Sequence, residues 1–301
     1  NGTADAVFQN IYLLEQEKPR LIVILSGDHV YRMDYQRLIG FHLEKGARVT
    51  IASLTYPRRS ASAFGVMAVD SSRRVVDFVE KPHDPPAIPG QPDESLINMG
   101  VYVFNTDVLV RAVIEDSKRS TAHDFGKNVL PALVKRGGVY AYPFGEGEKS
   151  AYWRDIGTLD SYYEAGMDFL REEPPFDLWD PAWPIRTQQH QLPPAWIAPN
   201  DSDENLVSRS LISPGCRVRG QVICSILSPR VEVAEGAQVT GCILFNDVTI
   251  GSGARLTRTI VDKRVHIPPG FVTGEDPEAD SARFLVTRNG VIVIPGGTLF
   301  D

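Results

Sequence analysis

Two acidic residues of this 301-residue sequence each lie near the end of a short stretch predicted to be a strand. The run at residues 21–25 is rich in β-branched side chains and passes through Ser-Gly into Asp28, and we expect a buried strand of a parallel sheet there. A second short strand is predicted at residues 152–156, with Asp155 at its end. Open α/β sheets bind ligands at the carboxyl ends of strands, and Mg²⁺ usually takes one or two carboxylates together with substrate phosphates. Asp28 and Asp155 are therefore candidate Mg²⁺ ligands; a turn-forming Asp and a structural acid are the alternatives.

An acid and a base stand together where a predicted strand at residues 75–79 meets a loop with five prolines between positions 82 and 92. The Lys81 ammonium can neutralise a substrate phosphate as a point charge, and Glu80 can accept hydrogen bonds from sugar hydroxyls. An exposed surface pair without a role in binding is the alternative.

Asn98 and Gly100 provide an amide and bare backbone on a predicted strand at residues 97–104, and Gly65 provides bare backbone near the start of a strand at residues 64–69. Glycine allows a sugar to approach the main chain closely, so these positions are candidate binding residues. Gly100 is equally compatible with a β-bulge.

The elements that carry these residues alternate between helix and strand. A helix at residues 1–17, the Asp28 strand, a helix at 35–45 and a strand at 48–54 follow the order αβαβ, which is typical of a parallel sheet covered by helices. The runs at 64–69 and 75–79 flank a turn and predict a hairpin, so the sheet is expected to be mixed. Further helices are predicted at residues 106–115, 123–136 and 159–171.

The end of the chain contains an internal repeat of 17 residues. The residues that recur at this spacing are Ile226, Ile243 and Ile260; Val231, Val248 and Val265; Val233, Ile250 and Ile267; and Gly236, Gly253 and Gly270. Apolar residues also recur at a spacing of six within each copy, which predicts a solenoid of parallel β coils. The expected organisation is a catalytic domain over residues 1–173, a crossover linker rich in proline and tryptophan over 174–205, and the solenoid with a tail over 206–301.

Composition excludes several classes of protein. The chain has 31 basic and 38 acidic residues, a net charge of −7, and no basic stripe, so nucleic acid is not an expected partner. No run approaches the roughly 20 apolar residues of a membrane helix. Cys216, Cys224 and Cys242 lack metal-site spacing and are expected to be reduced core thiols of a cytoplasmic protein.

Six short motifs follow one another along the chain: residues 2–6 (Gly-Thr-Ala-Asp-Ala), 26–29 (Ser-Gly-Asp-His), 62–66 (Ser-Ala-Phe-Gly-Val), 78–82 (Phe-Val-Glu-Lys-Pro), 123–127 (His-Asp-Phe-Gly-Lys) and 152–158 (Tyr-Trp-Arg-Asp-Ile-Gly-Thr). In their order and spacing they resemble the glucose-1-phosphate adenylyltransferase family. The resemblance extends through essentially the whole chain, including residues 184–187 and the solenoid.

The resemblance implies an α/β nucleotidyltransferase domain with a Rossmann-like mixed, mostly parallel sheet that is incomplete at its N-terminus, followed by a left-handed parallel β-helix. It implies formation of ADP-glucose and pyrophosphate from ATP and glucose 1-phosphate with Mg²⁺, as a step of glycogen and starch synthesis. The site residues that it implies are Asp28 and Asp155 for Mg²⁺, Lys81 for the phosphate of glucose 1-phosphate, Glu80, Gly65 and residues 98–100 for glucose, and Gly2 for the nucleotide. Many members have Ser where this chain has Asn98.

The family's Gly-rich phosphate-binding loop and the N-terminal part of its allosteric site precede the motif at Gly2. We therefore expect them upstream of this chain, and expect the polypeptide without them to lack part of the ATP site and to be of doubtful activity by itself. The family is typically tetrameric and regulated by a metabolite, which implies a homotetramer with an allosteric effector. Arg283 and Arg288 are candidates for binding an anionic effector, with a solvated tail as the alternative.

Three other functions stay open at the level of sequence. One is a nucleotidyltransferase for another base or sugar, such as a mannose-1-phosphate guanylyltransferase. Another is a non-catalytic regulatory subunit, against which the retention of Asp28, Lys81 and Asp155 argues. A solenoid acyltransferase would normally need a catalytic histidine between coils, and the solenoid holds only His266.

Overall fold

The computed structural model describes residues 2–146, 151–188, 191–199 and 206–300. The chain divides into two compact units, one formed by Asn1–Gly27 and Tyr31–Trp153 and the other by Asp28–Val30 and Arg154–Asp301. None of the helices in these described ranges is long and apolar enough to cross a membrane. The predicted division at residues 173 and 174 stays a prediction, and residues 189–190 and 200–205 of the predicted linker lie outside the described residues.

The first part of the chain alternates helices with strands. The strands are β1 (Leu21–Ile24), β2 (His29–Tyr31), β3 (Val49–Pro57), β4 (Gly65–Val69), β5 (Val75–Glu80), β6 (Glu94–Asn105), β7 (Val139–Pro143) and β8 (Trp153–Asp155). The helices are α1 (Thr3–Gln9), α2 (Ile11–Glu17), α3 (Tyr35–Glu44), α4 (Thr106–Ser117), α5 (Leu130–Arg136) and α6 (Leu159–Asp168), with a 3₁₀ helix at Arg58–Ala63 and a π-helix at Phe125–Val129.

The sheet of the first unit is built around β6. This strand pairs antiparallel with β3 along one edge and with β1 and β4 along the other, while β4 and β5 form an antiparallel hairpin and β3 and β7 pair in parallel. The mixed sheet and the hairpin are thus confirmed. The expectation that β1 belongs to parallel pairings is wrong, because β6 runs in the opposite direction and separates β1 from β3. Strands β1, β3, β4 and β7 nevertheless share one direction, which is why the sequence pattern resembles that of a parallel sheet.

Alternate residues of β6 enter two different hydrophobic cores. Tyr102 and Phe104 pack with α4 and α5, whereas Met99 and Val103 pack with α3 on the opposite face. Helices therefore cover both faces of the sheet, as the sequence predicts. Two of the predicted helices differ in detail: the first is divided at Asn10 into α1 and α2, and the one at residues 123–136 begins as the π-helix.

The second unit contains a parallel β-helix. Its strands are β9 (Trp196–Ile197), β10 (Val207–Ser208), β11 (Leu211–Ile212), β12 (Arg217–Val218), β13 (Gln221–Ile223), β14 (Ile226–Leu227), β15 (Glu232–Val233), β16 (Gln238–Thr240), β17 (Ile243–Leu244), β18 (Thr249–Ile250), β19 (Arg255–Thr257), β20 (Thr259–Val261), β21 (His266–Ile267), β22 (Val272–Thr273), β23 (Leu285–Val286) and β24 (Ile292–Ile294). They form three sheets, one on each side of the coil, and α7 (Pro277–Arg283) interrupts the last turn.

The strand register confirms the predicted repeat. Val233 pairs with Ile250 and Ile250 with Ile267, each 17 positions on, and the same offset holds for Ile226, Ile243 and Ile260. The inward residues of successive coils stack into one core. The preceding coil is shorter, with Ile212 paired to Leu227. Three cysteines are free: Cys216 and Cys242 are buried and Cys224 is partly buried.

Candidate active site

A cleft of about 420 Å³ opens in the first unit at the ends of β1 and β5 and along β6. Its lining residues are Thr3, Ala6, Val7, Ile24, Leu25, Ser26, Gly27, Glu80, Asn98, Gly100, Tyr102, Asp124, Phe125 and Gly126. Three residues predicted to contact a sugar, Glu80, Asn98 and Gly100, are therefore brought to one cleft from separate parts of the sequence. Gly27, which precedes Asp28 in the chain, lines the same cleft.

The Glu80 carboxyl group lies between two glycines. Gly65 is directly opposite Glu80 in the β4–β5 hairpin, and a Cβ atom built on Gly65 would lie 2.8 Å from a Glu80 carboxylate oxygen and 2.6 Å from the Phe78 ring. A Cβ atom on Gly126 would lie 2.8 Å from the carboxyl carbon of Glu80. These distances leave no room for a side chain, so both glycines are required for the position of this carboxyl group. Gly65 therefore leaves open the space that the Glu80 carboxyl group occupies.

The electrostatic environment of Glu80 is that of a partly buried acid with a second acid nearby. Burial raises the pKa of Glu80, and the negative charge of Asp124 raises it further, while Lys81 and Lys127 act in the opposite direction. Perturbed carboxyl groups in clefts are common at functional sites. A carboxylate so placed is a strong acceptor for hydroxyl groups.

The Gly100 region is a β-bulge, one of the two possibilities that the sequence leaves open. Ile51 pairs with Tyr102 and Ser53 with Asn98, so that three residues of β6 oppose the single residue between them in β3. Gly100 has a φ of +71°, which favours glycine. The Asn98 side chain closes this bulge, because its Oδ1 accepts a hydrogen bond of 2.9 Å from the Gly100 N–H.

Lys81 has an uncommon backbone conformation. Its φ is 49°, a left-handed value that is rare for a residue with a side chain and is further disfavoured before a proline such as Pro82. The Lys81 N–H donates a hydrogen bond of 3.0 Å to the Phe64 carbonyl, which holds this conformation. Arg58 anchors the loop that follows Lys81, because its guanidinium donates hydrogen bonds to the Asp84 carboxylate and to the Pro85 carbonyl. Such strained residues concentrate at binding sites. The Lys81 side chain is exposed and is not among the residues that define the cleft.

Gly2 has a structural reason to be glycine. Its Cα lies against the Ala122 and His123 carbonyl groups, so a Cβ atom would collide with both of them. The His123 carbonyl oxygen accepts a hydrogen bond of 2.8 Å from the Ala4 N–H, which fixes the start of α1. Its neighbour Thr3, rather than Gly2, lines the cleft. The role of Gly2 beside the nucleotide stays a prediction.

The two predicted metal ligands come together in the second unit. One oxygen of Asp28, one of Asp155 and one ring nitrogen of His29 all lie within 4.8 Å of one another. The Ile156 N–H donates a hydrogen bond of 2.9 Å to the Asp28 carbonyl oxygen, and the Gly157 N–H donates one of 2.7 Å to Asp155 Oδ1. These hydrogen bonds hold the backbone around Asp28 and the side chain of Asp155 in place.

This pair suits a hard divalent cation. Two carboxylates with open surroundings match a divalent cation that keeps several water ligands and binds through one or two protein carboxylates. Asp28 is exposed, and Asp155 and His29 are partly buried, so that solvent and ligands can reach the carboxylates. A cation bound here would be held by Asp28 and Asp155, with His29 beside them.

Sequence reasoning assigned no role in binding to several residues of the cleft. Tyr102, Asp124 and Phe125 line it, and Asp124 accepts a hydrogen bond of 3.0 Å from the Thr3 hydroxyl. The motif at residues 123–127 was a usable signal, since it contains Asp124, but its partners come from distant parts of the chain. Tyr102 had no signal of its own apart from its proximity to Asn98 in sequence.

The fold and its match to a family model define a nucleotidyltransferase. A family model described as nucleotidyl transferase matches residues 1–172, and one described as GlmU-like, C-terminal hexapeptide matches residues 193–294. The chain is 45% identical over 307 aligned residues to "Glucose-1-phosphate adenylyltransferase 2" of Vibrio cholerae serotype O1 (strain ATCC 39315 / El Tor Inaba N16961), an alignment that covers 100% of this chain and 75% of that relative. The chain belongs to the glucose-1-phosphate adenylyltransferase family, as the motifs imply.

Proposed function

We propose that this protein transfers the adenylyl group of ATP to glucose 1-phosphate, giving ADP-glucose and pyrophosphate for the synthesis of α-glucans of the glycogen type. The observation that carries the proposal is the 45% identity over the whole chain to an enzyme named for this reaction. The cleft and the acid pair described above supply the chemical groups that such a reaction needs.

The sugar is assigned to the cleft around Glu80. A volume of about 420 Å³ lies within the range of small-ligand sites. The Glu80 and Asp124 carboxylates and the Tyr102 hydroxyl converge there, and a hexose presents hydroxyl groups that can pair with all three. Gly100 leaves the backbone open to close approach. We assign the phosphate of the sugar to the exposed Lys81 ammonium, which follows Glu80 directly in the chain.

The reaction is an in-line attack by a phosphate oxygen of glucose 1-phosphate on the α-phosphorus of ATP, with pyrophosphate as the leaving group. The attacking oxygen already carries negative charge, so no general base is required. The protein then has to position the two substrates and offset the charge that they bring together. Lys81 offsets part of it. Asp28 and Asp155 would hold a divalent cation, which supplies charge neutralisation at the phosphates when bound.

A nucleotide panel tests the proposal. The full-length protein is supplied with Mg²⁺ and with ATP, GTP, UTP or TTP, each with glucose 1-phosphate or mannose 1-phosphate, and pyrophosphate release is measured. ATP with glucose 1-phosphate is expected to give the highest kcat/KM. Preference for GTP with mannose 1-phosphate would point instead to a guanylyltransferase, and no release with any pair would point to a regulatory subunit.

Several further properties belong to the same proposal. We assign Mg²⁺ as the metal, since two carboxylates with open surroundings suit it. We also propose a homotetramer in the cytoplasm, regulated by a small metabolite, as in the family that the motifs resemble. Three free cysteines are in keeping with a reducing compartment. Sedimentation analysis and a metal-dependence series on the full-length protein check the oligomer and the ion.

A further inference from the structure

Helix α6 carries three acidic residues in one row. Asp160, Glu164 and Asp168 follow one another at intervals of four residues, which places them along one side of the helix. The helix begins at Leu159, shortly after β8, the strand that ends at Asp155. The acidic row therefore starts close to one of the two candidate metal ligands.

The last two acids of the row hold Arg154. Its Nη1 donates a hydrogen bond of 2.8 Å to Glu164 Oε2, and its Nη2 lies 2.7 Å from Asp168 Oδ2. Asp168 is buried, and a guanidinium group that bridges two carboxylates is held in one orientation, because its planar fork of donors matches them. Arg154 is the residue before Asp155 in β8, so these ion pairs hold the strand segment that carries the candidate metal ligand.

The first two acids of the row are bound by the solenoid. The turn that joins β23 to β24, the terminal turn (residues 287–290), contributes two donors: the Thr287 hydroxyl donates to Asp160, and the Asn289 amide donates a hydrogen bond of 3.1 Å to Glu164 Oε1. Hydrogen bonds to an ionised acceptor are stronger than those between neutral groups. The terminal turn is therefore linked to the same side of α6 that holds Arg154.

Further contacts keep the terminal turn in place against α6. Tyr163 of the helix shares one buried cluster with Ile260 and Val291 of the solenoid. The Asn289 carbonyl accepts a hydrogen bond of 3.0 Å from Arg258, whose guanidinium lies over the Tyr163 ring at 5.1 Å from its centroid. The position of the Asn289 side chain is thus set by the solenoid and the helix together.

We propose that Glu164 is a positioning residue through which the solenoid sets the geometry of the metal pair: the relay from Asn289 through Glu164 to Arg154 holds β8 so that Asp155 stays beside Asp28. One carboxylate makes both links, since Oε1 accepts from Asn289 and Oε2 from Arg154. Both metal-ligand candidates belong to the same compact unit as the solenoid. The proposal rests on the proposed function, because it takes this pair as the site of the divalent cation.

Three substitutions separate the links of the relay. Asn289→Ala removes only the donor of the terminal turn, and Glu164→Ala removes both links. Glu164→Gln keeps an oxygen that accepts from Arg154, and its amide nitrogen can donate to the Asn289 side-chain oxygen once that amide turns. The matched control for the lost acid is Glu235→Ala, since Glu235 is an exposed residue of the solenoid.

The test is the affinity of the full-length protein for Mn²⁺, measured without substrates by electron paramagnetic resonance of the free ion. Asp28→Asn identifies the part of the binding that uses the acid pair. Glu164→Ala is expected to raise the Kd of this site about tenfold, the effect of losing an outer-shell partner of a metal ligand. Asn289→Ala is expected to raise it by a smaller factor, and to have no further effect in the Glu164→Ala background. Glu164→Gln and Glu235→Ala are expected to bind Mn²⁺ like the wild type.

Scanning calorimetry of the same variants distinguishes positioning from a merely structural role. A lowered Tm of Glu164→Ala with an unchanged Kd for Mn²⁺ overturns the relay, as does an effect of Asn289→Ala that persists in the Glu164→Ala background. Mn²⁺ binding that Asp28→Asn leaves intact also overturns it. A protein that shows the expected affinities but does not form ADP-glucose supports the relay and refutes the proposed reaction.

Discussion

Gly65 lies directly opposite Glu80 in the β4–β5 hairpin, and a Cβ atom on Gly65 would lie 2.8 Å from the Glu80 carboxylate. Gly65→Ala is therefore expected to displace this carboxyl group and to raise KM for glucose 1-phosphate about tenfold, the worth of one hydrogen bond, with a smaller effect on kcat. Steady-state kinetics with varied sugar phosphate measure this change. Gly40→Ala is the matched control, because Gly40 is an exposed helical residue with open space around it, and its kinetics should stay at the wild-type values.

The ionised Glu80 side chain is expected to lower the stability of the folded protein while it contributes to binding of glucose 1-phosphate. Its pKa is raised in the folded state by burial and by Asp124, so the protein loses stability as pH rises from the unfolded pKa toward the folded one and carries the full penalty above it. Glu80→Gln removes this penalty and is expected to raise Tm at neutral pH while raising KM for glucose 1-phosphate about tenfold.

Glu115→Gln provides the contrast for the stability measurement. The pKa of Glu115 is lowered by its hydrogen bond to Arg136, so its ionised form is favoured in the folded state. Its substitution should leave Tm unchanged or lower it. A Tm of Glu80→Gln that falls at neutral pH, as measured by scanning calorimetry, would show that the Glu80 carboxylate is not a destabilising group.

Lys81→Ala is expected to raise KM for glucose 1-phosphate by about a hundredfold, because an ammonium that pairs with a phosphate contributes a charge-assisted hydrogen bond. The change in kcat should be smaller, since the role is in binding. Lys118→Ala, at an exposed helix end, serves as the control. An unchanged KM for the sugar phosphate in Lys81→Ala would exclude Lys81 from contact with it, whatever happens to kcat.

Asp28→Asn is expected to lower kcat by about a thousandfold with the fold intact, since loss of a metal carboxylate removes charge neutralisation at the reacting phosphates. Circular dichroism monitors the fold, and a Mg²⁺ titration should show a raised half-saturation concentration. Asp107→Asn, at the exposed start of α4, should behave like the wild type in both assays. Near-normal turnover of Asp28→Asn would rule out the metal site.

Patterns that are local or periodic were readable from the sequence. The Gly65–Glu80 hairpin follows from two strand-like runs around a turn, and the 17-residue repeat of Val233, Ile250 and Ile267 appears unchanged in the strand register. Each of these features depends on neighbours in sequence or on a repeated spacing, so it can be predicted from a single amino-acid sequence.

Long-range pairing was not readable in the same way. Nothing near Val23 indicates that it pairs with Val103, yet this pairing makes β1 antiparallel to its neighbour. The same holds for the cleft: Tyr102 and Asp124 line it together only because the fold brings β6 and the start of the π-helix beside Glu80. The bulge at Gly100 was predictable only in part. Glycine at this position is compatible with a bulge, but only the register of β6 against β3 shows that one forms.

The most direct test of the account is the identity of the products. The full-length protein is incubated with ATP, glucose 1-phosphate and Mg²⁺, and the phosphorus species are followed by ³¹P NMR. The proposed function requires ADP-glucose and pyrophosphate to appear in equal amounts and neither to form without the sugar phosphate. Hydrolysis of ATP without a sugar nucleotide, or the absence of any product, would contradict it.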